Sequence, residues 1–160
     1  MKRFALNLFL VTALILTLGL CLSVGGLAWA IPNSQQDCSG GGSTSSTDFE
    51  FIPDMQVTVN NGFFKRNCIV TFSSEATTDS TNGLITIVYA VDSTDPSSCT
   101  TAGFSGPEFF YRGTLQEGRT IVSVGELGPG FHTIRPCFSV TNASQASILF
   151  ACLIVECWTK

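Results

Sequence analysis

The chain has 160 residues, 44% of them hydrophobic and 12% charged, with eight basic residues, twelve acidic residues and one histidine. That length suits one domain with one core. The acidic balance argues against nucleic acid or an anionic membrane surface as partner, and no P-loop or dinucleotide fingerprint occurs.

Lys2 and Arg3 open the chain, an apolar run follows from Phe4 to Leu22, and Ala28-Trp29-Ala30 supplies a small-x-small cleavage pattern. This predicts a signal peptide over 1–30, cleaved after Ala30. An uncleaved anchor is the alternative, since the run is long enough to span a bilayer. Losing Lys2 and Arg3 leaves six basic against twelve acidic residues, a net charge of −6. Cys21 leaves with the leader. Six cysteines remain (Cys38, Cys68, Cys99, Cys137, Cys152 and Cys157), and an even set behind a signal peptide predicts three disulfides in an oxidising compartment. Zinc would want C-x-x-C spacing and more than one histidine.

Residues 31–54 contain the tract CSGGGSTSST and read as a flexible Gly/Ser/Thr-rich linker, with the folded domain over 55–160. From Met55 the pattern has period two, broken by turn residues. That predicts an all-β antiparallel sandwich of about seven strands, jelly-roll-like or immunoglobulin-like. Asn61-Gly62 signals a hairpin that sets Val59 opposite Phe64. Phe64, Cys68, Val70 and Phe72 then share a core face, with Arg66 the misfit. Leu84–Asp92 is apolar on both faces and belongs in mid-sheet. Gln116-Glu117-Gly118 signals a second hairpin, with glycine at the left-handed position. Pro136 cannot donate to a ladder, so its strand needs an edge or a bulge there.

A third hairpin, turning at Asn142–Gln145, sets Cys137 opposite Cys152. That register suggests Cys137–Cys152, Cys68–Cys99 and Cys38–Cys157 among fifteen possible pairings. The immunoglobulin alternative would join Cys68 to Cys137, but lacks the third-strand tryptophan and the tyrosine two residues before Cys137. In the final strand Leu149, Ala151, Leu153 and Val155 form the core face. Ile148, Phe150 and Ile154 point outward, covered by Phe49 and Phe51 or left as an interaction surface. The strand is too short to cross a bilayer, so no membrane span is expected in the mature chain.

Few residues suggest chemistry. His132 reads as a rim residue making one hydrogen bond. Asp92 and Asp95 in DSTDP are candidate calcium ligands, with turn formation as the competing role. Tyr111 and Trp158 are the plausible stacking platforms for a sugar. Asn142-Ala143-Ser144 is a glycosylation sequon on a turn. No catalytic residue and no cofactor is indicated. These observations imply a secreted, non-catalytic module for extracellular binding or surface interaction, with a protein or glycan partner. A small carboxylate-dependent hydrolase and a structural envelope component are the alternatives.

Overall fold

Val70, Phe72, Ile85, Ile87, Ile134, Phe138, Val140, Leu153 and Val155 are buried together, each two or four positions from the next along its strand. Period-two burial of this kind needs two sheets face to face. A computed structural model describes residues 33–99, 104–105 and 109–159; the expected leader lies outside them. Among the described residues the strands are β1 (Asn33–Gly40), β2 (Ser43–Thr44), β3 (Glu50–Phe51), β4 (Val57–Asn60), β5 (Arg66–Thr78), β6 (Leu84–Val91), β7 (Phe104–Ser105), β8 (Phe109–Arg112), β9 (Glu117–Leu127), β10 (Phe131–Thr141) and β11 (Ala146–Trp158). One 3-10 turn spans Pro96–Ser98. Sheet A has the order β1-β11-β5-β9-β7, with β2 also on β11; sheet B has the order β3-β10-β6-β8, with β4 also on β10. All pairings are antiparallel.

From β4 onward each successive strand lies in the opposite sheet from the one before it. This is jelly-roll-like behaviour, and it corrects all three expected hairpins. β4 pairs with β10 and not with β5, β8 pairs with β6 and not with β9, and β10 pairs with β6 while β11 pairs with β5 and β1. The turn residues do reverse the chain: Gly62 has φ +61° and Asn142 φ +58°. Reversal, however, does not decide whether the next strand stays in the same sheet. Gly118 sits within β9, and the left-handed position of that corner belongs to Gly113, at φ +107°.

The disulfides follow the sheets. All six expected cysteines are bonded, as Cys38–Cys152, Cys68–Cys157 and Cys99–Cys137. The suggested pairing fails at every bond: Cys137 is in sheet B and Cys152 in sheet A, and within sheet A the register sets Cys38 opposite Cys152 and Cys68 opposite Cys157. The immunoglobulin-type Cys68–Cys137 link is absent, because Cys68 is bonded to Cys157 and Cys137 to Cys99.

Residues 33–54 are part of the sandwich and not a linker. β1 runs eight residues along β11 and is bolted to it through Cys38. The glycines that suggested flexibility serve close approach. A Cβ on Gly41 would overlap the Ile148 carbonyl, and one on Gly42 would meet the Pro53 ring at 2.7 Å. β1 and β2 line one edge of β11, just as β4 and β3 line one edge of β10. Pro136 falls in the gap between β4 and β3, where its carbonyl accepts from Ile52 N (3.0 Å) and no donor is required of it.

Candidate functional site

Asp92 and His132 form one unit. Asp92 takes a left-handed backbone (φ +55°), which turns its carboxylate back onto β10. Oδ1 accepts from Thr133 N (2.8 Å), and Oδ2 lies 2.7 Å from His132 Nδ1. The other ring nitrogen, Nε2, lies 3.0 Å from the Gly128 carbonyl. Both partners are acceptors, so the doubly protonated ring fits the site best. Burial opposes that charge, but the hydrogen bonds the ring donates to Asp92 and Gly128 outweigh it and raise the imidazole above its ordinary value. His132 thus makes two bonds where one was expected.

Asp95 instead caps the Pro96–Ser98 turn, accepting from Ser97 N (2.9 Å), and that bond holds its carboxyl below the usual range. The two aspartates proposed for calcium are committed to different local partners, the work ordinary turn residues do. Among the described residues no three His, Cys, Asp or Glu side chains gather as a metal site.

The expected interaction surface divides. A bulge between Ile148 and Phe150 shifts the register of β11 by one residue, so Ile148 turns inward and is 2% exposed, while Leu149 and Phe150 both face solvent. This corrects Ile148 as a surface residue and Leu149 as a core residue. Ile154 is half-buried on the outer face of sheet A, between Gln36 and Thr71. Tyr111 is buried in the core, with the Arg119 guanidinium 5.7 Å over its ring, and is no sugar platform. Trp158 keeps an exposed edge. Phe49 and Phe51 do act as a cover, but on the outer face of sheet B. There they pack on Val88, Ala90 and the Cys99–Cys137 bond.

That cover stops partway along β10. Beyond it lies an open groove of about 530 Å³ lined by Gln56, Asp92, Ser93, Thr94, Phe131, Thr133 and Arg135. It adjoins a cleft of about 320 Å³ along residues 51–56, and Gln56 and Arg135 line both. Alternation along β10 puts Phe131, Thr133 and Arg135 on this outer face while Ile134 and Phe138 fill the core. Arg135 Nε donates to Gln56 Oε1 (3.1 Å), and its guanidinium lies 5.5 Å over the Phe51 ring. Phe131 is 73% exposed. The groove therefore combines a fixed cation, an amide, hydroxyls and an aromatic ring. Reading β10 with the core on its even-numbered residues marks these positions in the sequence, but their convergence with Gln56 depends on the β4–β10 pairing.

Asn61 has a role that the turn signal hid. Its side chain is fully buried, and its Nδ2 donates to the carbonyls of Gly128 (3.0 Å) and Leu127 (3.4 Å) while its backbone N–H donates to Gly130 (2.8 Å). It fastens the β9–β10 corner that carries Phe131.

The fold and site define an antiparallel, disulfide-stitched β-sandwich with one open, polar-aromatic sheet face. No protein-family profile and no curated protein matches the chain. Among solved structures it is similar to dimeric latent PorU from Porphyromonas gingivalis (8% identity, TM-score 0.42), covering 78% of this chain and 13% of that one. It is also similar to the tripod from the baseplate of bacteriophage Tuc2009 (9% identity, TM-score 0.45), covering 80% and 64%. A third is the CBM36-1 domain of a multidomain xylanase from the hindgut metagenome of Trinervitermes trinervoides (14% identity, TM-score 0.35), covering 75% and 96%. Likeness at this level concerns β architecture alone.

Proposed function

We propose that the chain is a secreted, non-catalytic β-sandwich module that binds an extracellular, hydroxyl-rich partner such as a glycan in the sheet-B groove. Three disulfides are in keeping with an oxidising compartment, and the leader is removed after Ala30. The observation that carries the reading is Phe131, a large aromatic left exposed beside Arg135, Gln56 and Thr133. An aromatic face with convergent polar groups is the composition a sugar needs. The hydrolase alternative needs two free carboxylates facing each other across a cleft. Here Asp92 is held by His132 and Thr133, which speaks for binding over hydrolysis.

A glycan array probed with the exported protein, with Phe131→Ala and Arg135→Ala alongside, tests this. The expected result is a defined glycan bound by the parent and weakened about tenfold or more by either substitution, since each removes roughly 1.4 kcal/mol or more of contact. Glycan binding unaffected by both substitutions, or sugar hydrolysis by the parent, would overturn it.

A further inference from the structure

One end of the sandwich carries an unusual load of exposed aromatics. β4 and β9 finish there, and β1, β5 and β10 start there, as the pairs Asn33↔Cys157, Phe131↔Asn60 and Arg66↔Leu127 show. Two loops meet at this end and are hydrogen-bonded to each other: Gly130 N donates to Gly62 O (2.8 Å), and Asn61 N to Gly130 O. Next to these glycines stand Phe63, 91% exposed, and Phe131. Phe64 and Trp158 add partly exposed rings, Trp158 opposite Asn67 at the start of β5. Rings left in water on two mutually braced loops are an apolar surface built to be covered.

The chain itself indicates what covers it. Asn33 begins β1 at this same end, with its Nδ2 donating to Asn60 O (2.9 Å). The polypeptide before Asn33 therefore joins the domain beside Phe63. The apolar run Phe4–Leu22 is ten residues upstream, a span of at most about 35 Å of extended chain. Ten residues of chain thus join this end to the run that the export reading assigns to a membrane-directed leader. The Lys65–Glu126 ion pair (2.7 Å) balances two of the charges at this end, which suits a neutral lipid surface.

We propose that this aromatic end seats in the headgroup–acyl boundary of a lipid bilayer, with Phe63 and Phe131 as the inserting side chains and Trp158 at the interface. The preferred surface is zwitterionic, because the processed chain carries a net charge of −6 and gains nothing from anionic lipid.

The test uses the exported protein after leader removal, when Trp158 is the only tryptophan, since the other is Trp29. Phosphatidylcholine vesicles are added, and Trp158 emission and co-sedimentation are read together. Binding should move the emission to the blue. Phe63→Ser with Phe131→Ser should lower the partition coefficient about tenfold or more, as each phenyl ring contributes part of its full burial energy. Leu115→Ser is the control: it removes a 71%-exposed apolar residue from the loop before β9, at the other end, and should leave binding unchanged. Phe63→Ser alone separates this surface from the groove, because Phe63 does not line it; that variant should lose vesicle binding and keep glycan binding. No blue shift with the parent, or equal loss with Leu115→Ser, overturns the proposal. A concentration-dependent dimer abolished by the double substitution, without vesicle binding, overturns it in favour of a second copy at this end.

Discussion

Removing the Cys38–Cys152 bond measures whether the Gly/Ser-rich segment belongs to the fold. Taken alone, that bond closes a loop of 114 residues. Cys68–Cys157 already constrains the unfolded chain, however. The shorter path runs from Cys38 to Cys68, across that bond, and from Cys157 back to Cys152, a loop of about 35 residues. In the chain-entropy model a loop of that size contributes about 4 kcal/mol. Cys38 is exposed and Cys152 half-buried, so a Cys38→Ser/Cys152→Ser protein loses little apolar burial besides. For a domain of this size, 4 kcal/mol corresponds to a fall in Tm of roughly 15 °C. Thermal unfolding by circular dichroism, with a thiol assay to show that the other two bonds are intact, reads the effect. A fall of less than about 2 °C would mean that β1 is tethered and not integrated, and the reasoning would fail.

Further predictions follow from single contacts. Gly41→Ala places a Cβ on the Ile148 carbonyl and should cost about 3 kcal/mol, seen as a lowered denaturant midpoint; a neutral result would displace β1 and β2 from the β11 edge. Tyr111→Ala should cost about 3–5 kcal/mol, and Tyr111 in the parent should resist nitration by tetranitromethane; ready nitration would return it to the surface. His132 has a folded pKa raised above the ordinary 6.5, so its contribution is complete below that value and fades as pH rises through the folded pKa. Stability should therefore decline from about pH 6.5 upward, and His132→Gln should flatten that slope. His132 is the chain's only histidine, so its NMR titration gives the direction without ambiguity.

Strand content, the core face of β5, the mid-sheet place of β6 and the complete use of six cysteines were legible in the sequence, because period-two burial, two-sided apolarity and cysteine parity are local or countable. Sheet membership was not. Asn61-Gly62, the corner at Gly113 and Asn142–Gln145 all supply residues that tolerate positive φ, and the same chemistry serves a hairpin or a corner between sheets. Only long-range pairing distinguishes these, and strands such as β11, apolar on both faces, accept either neighbour. The bulge at Leu149 left no mark in the pattern, since Ile148, Leu149 and Phe150 are all apolar; whichever turns inward, the text reads the same. The glycine tract misled for a different reason. Glycine marks flexibility and close backbone approach alike, and only the position of Ile148 shows which applies. Of the site, Phe131 and Arg135 could be placed on one face of a strand, but Gln56 joins them through a pairing 79 residues distant in sequence.

The alternation of consecutive strands between two sheets is tested most directly by peptide mapping of the purified protein without reduction. Mass spectrometry should find Cys38 linked to Cys152, Cys68 to Cys157 and Cys99 to Cys137, with no free thiol. A peptide joining Cys137 to Cys152 would put β10 beside β11 in one sheet and contradict the account.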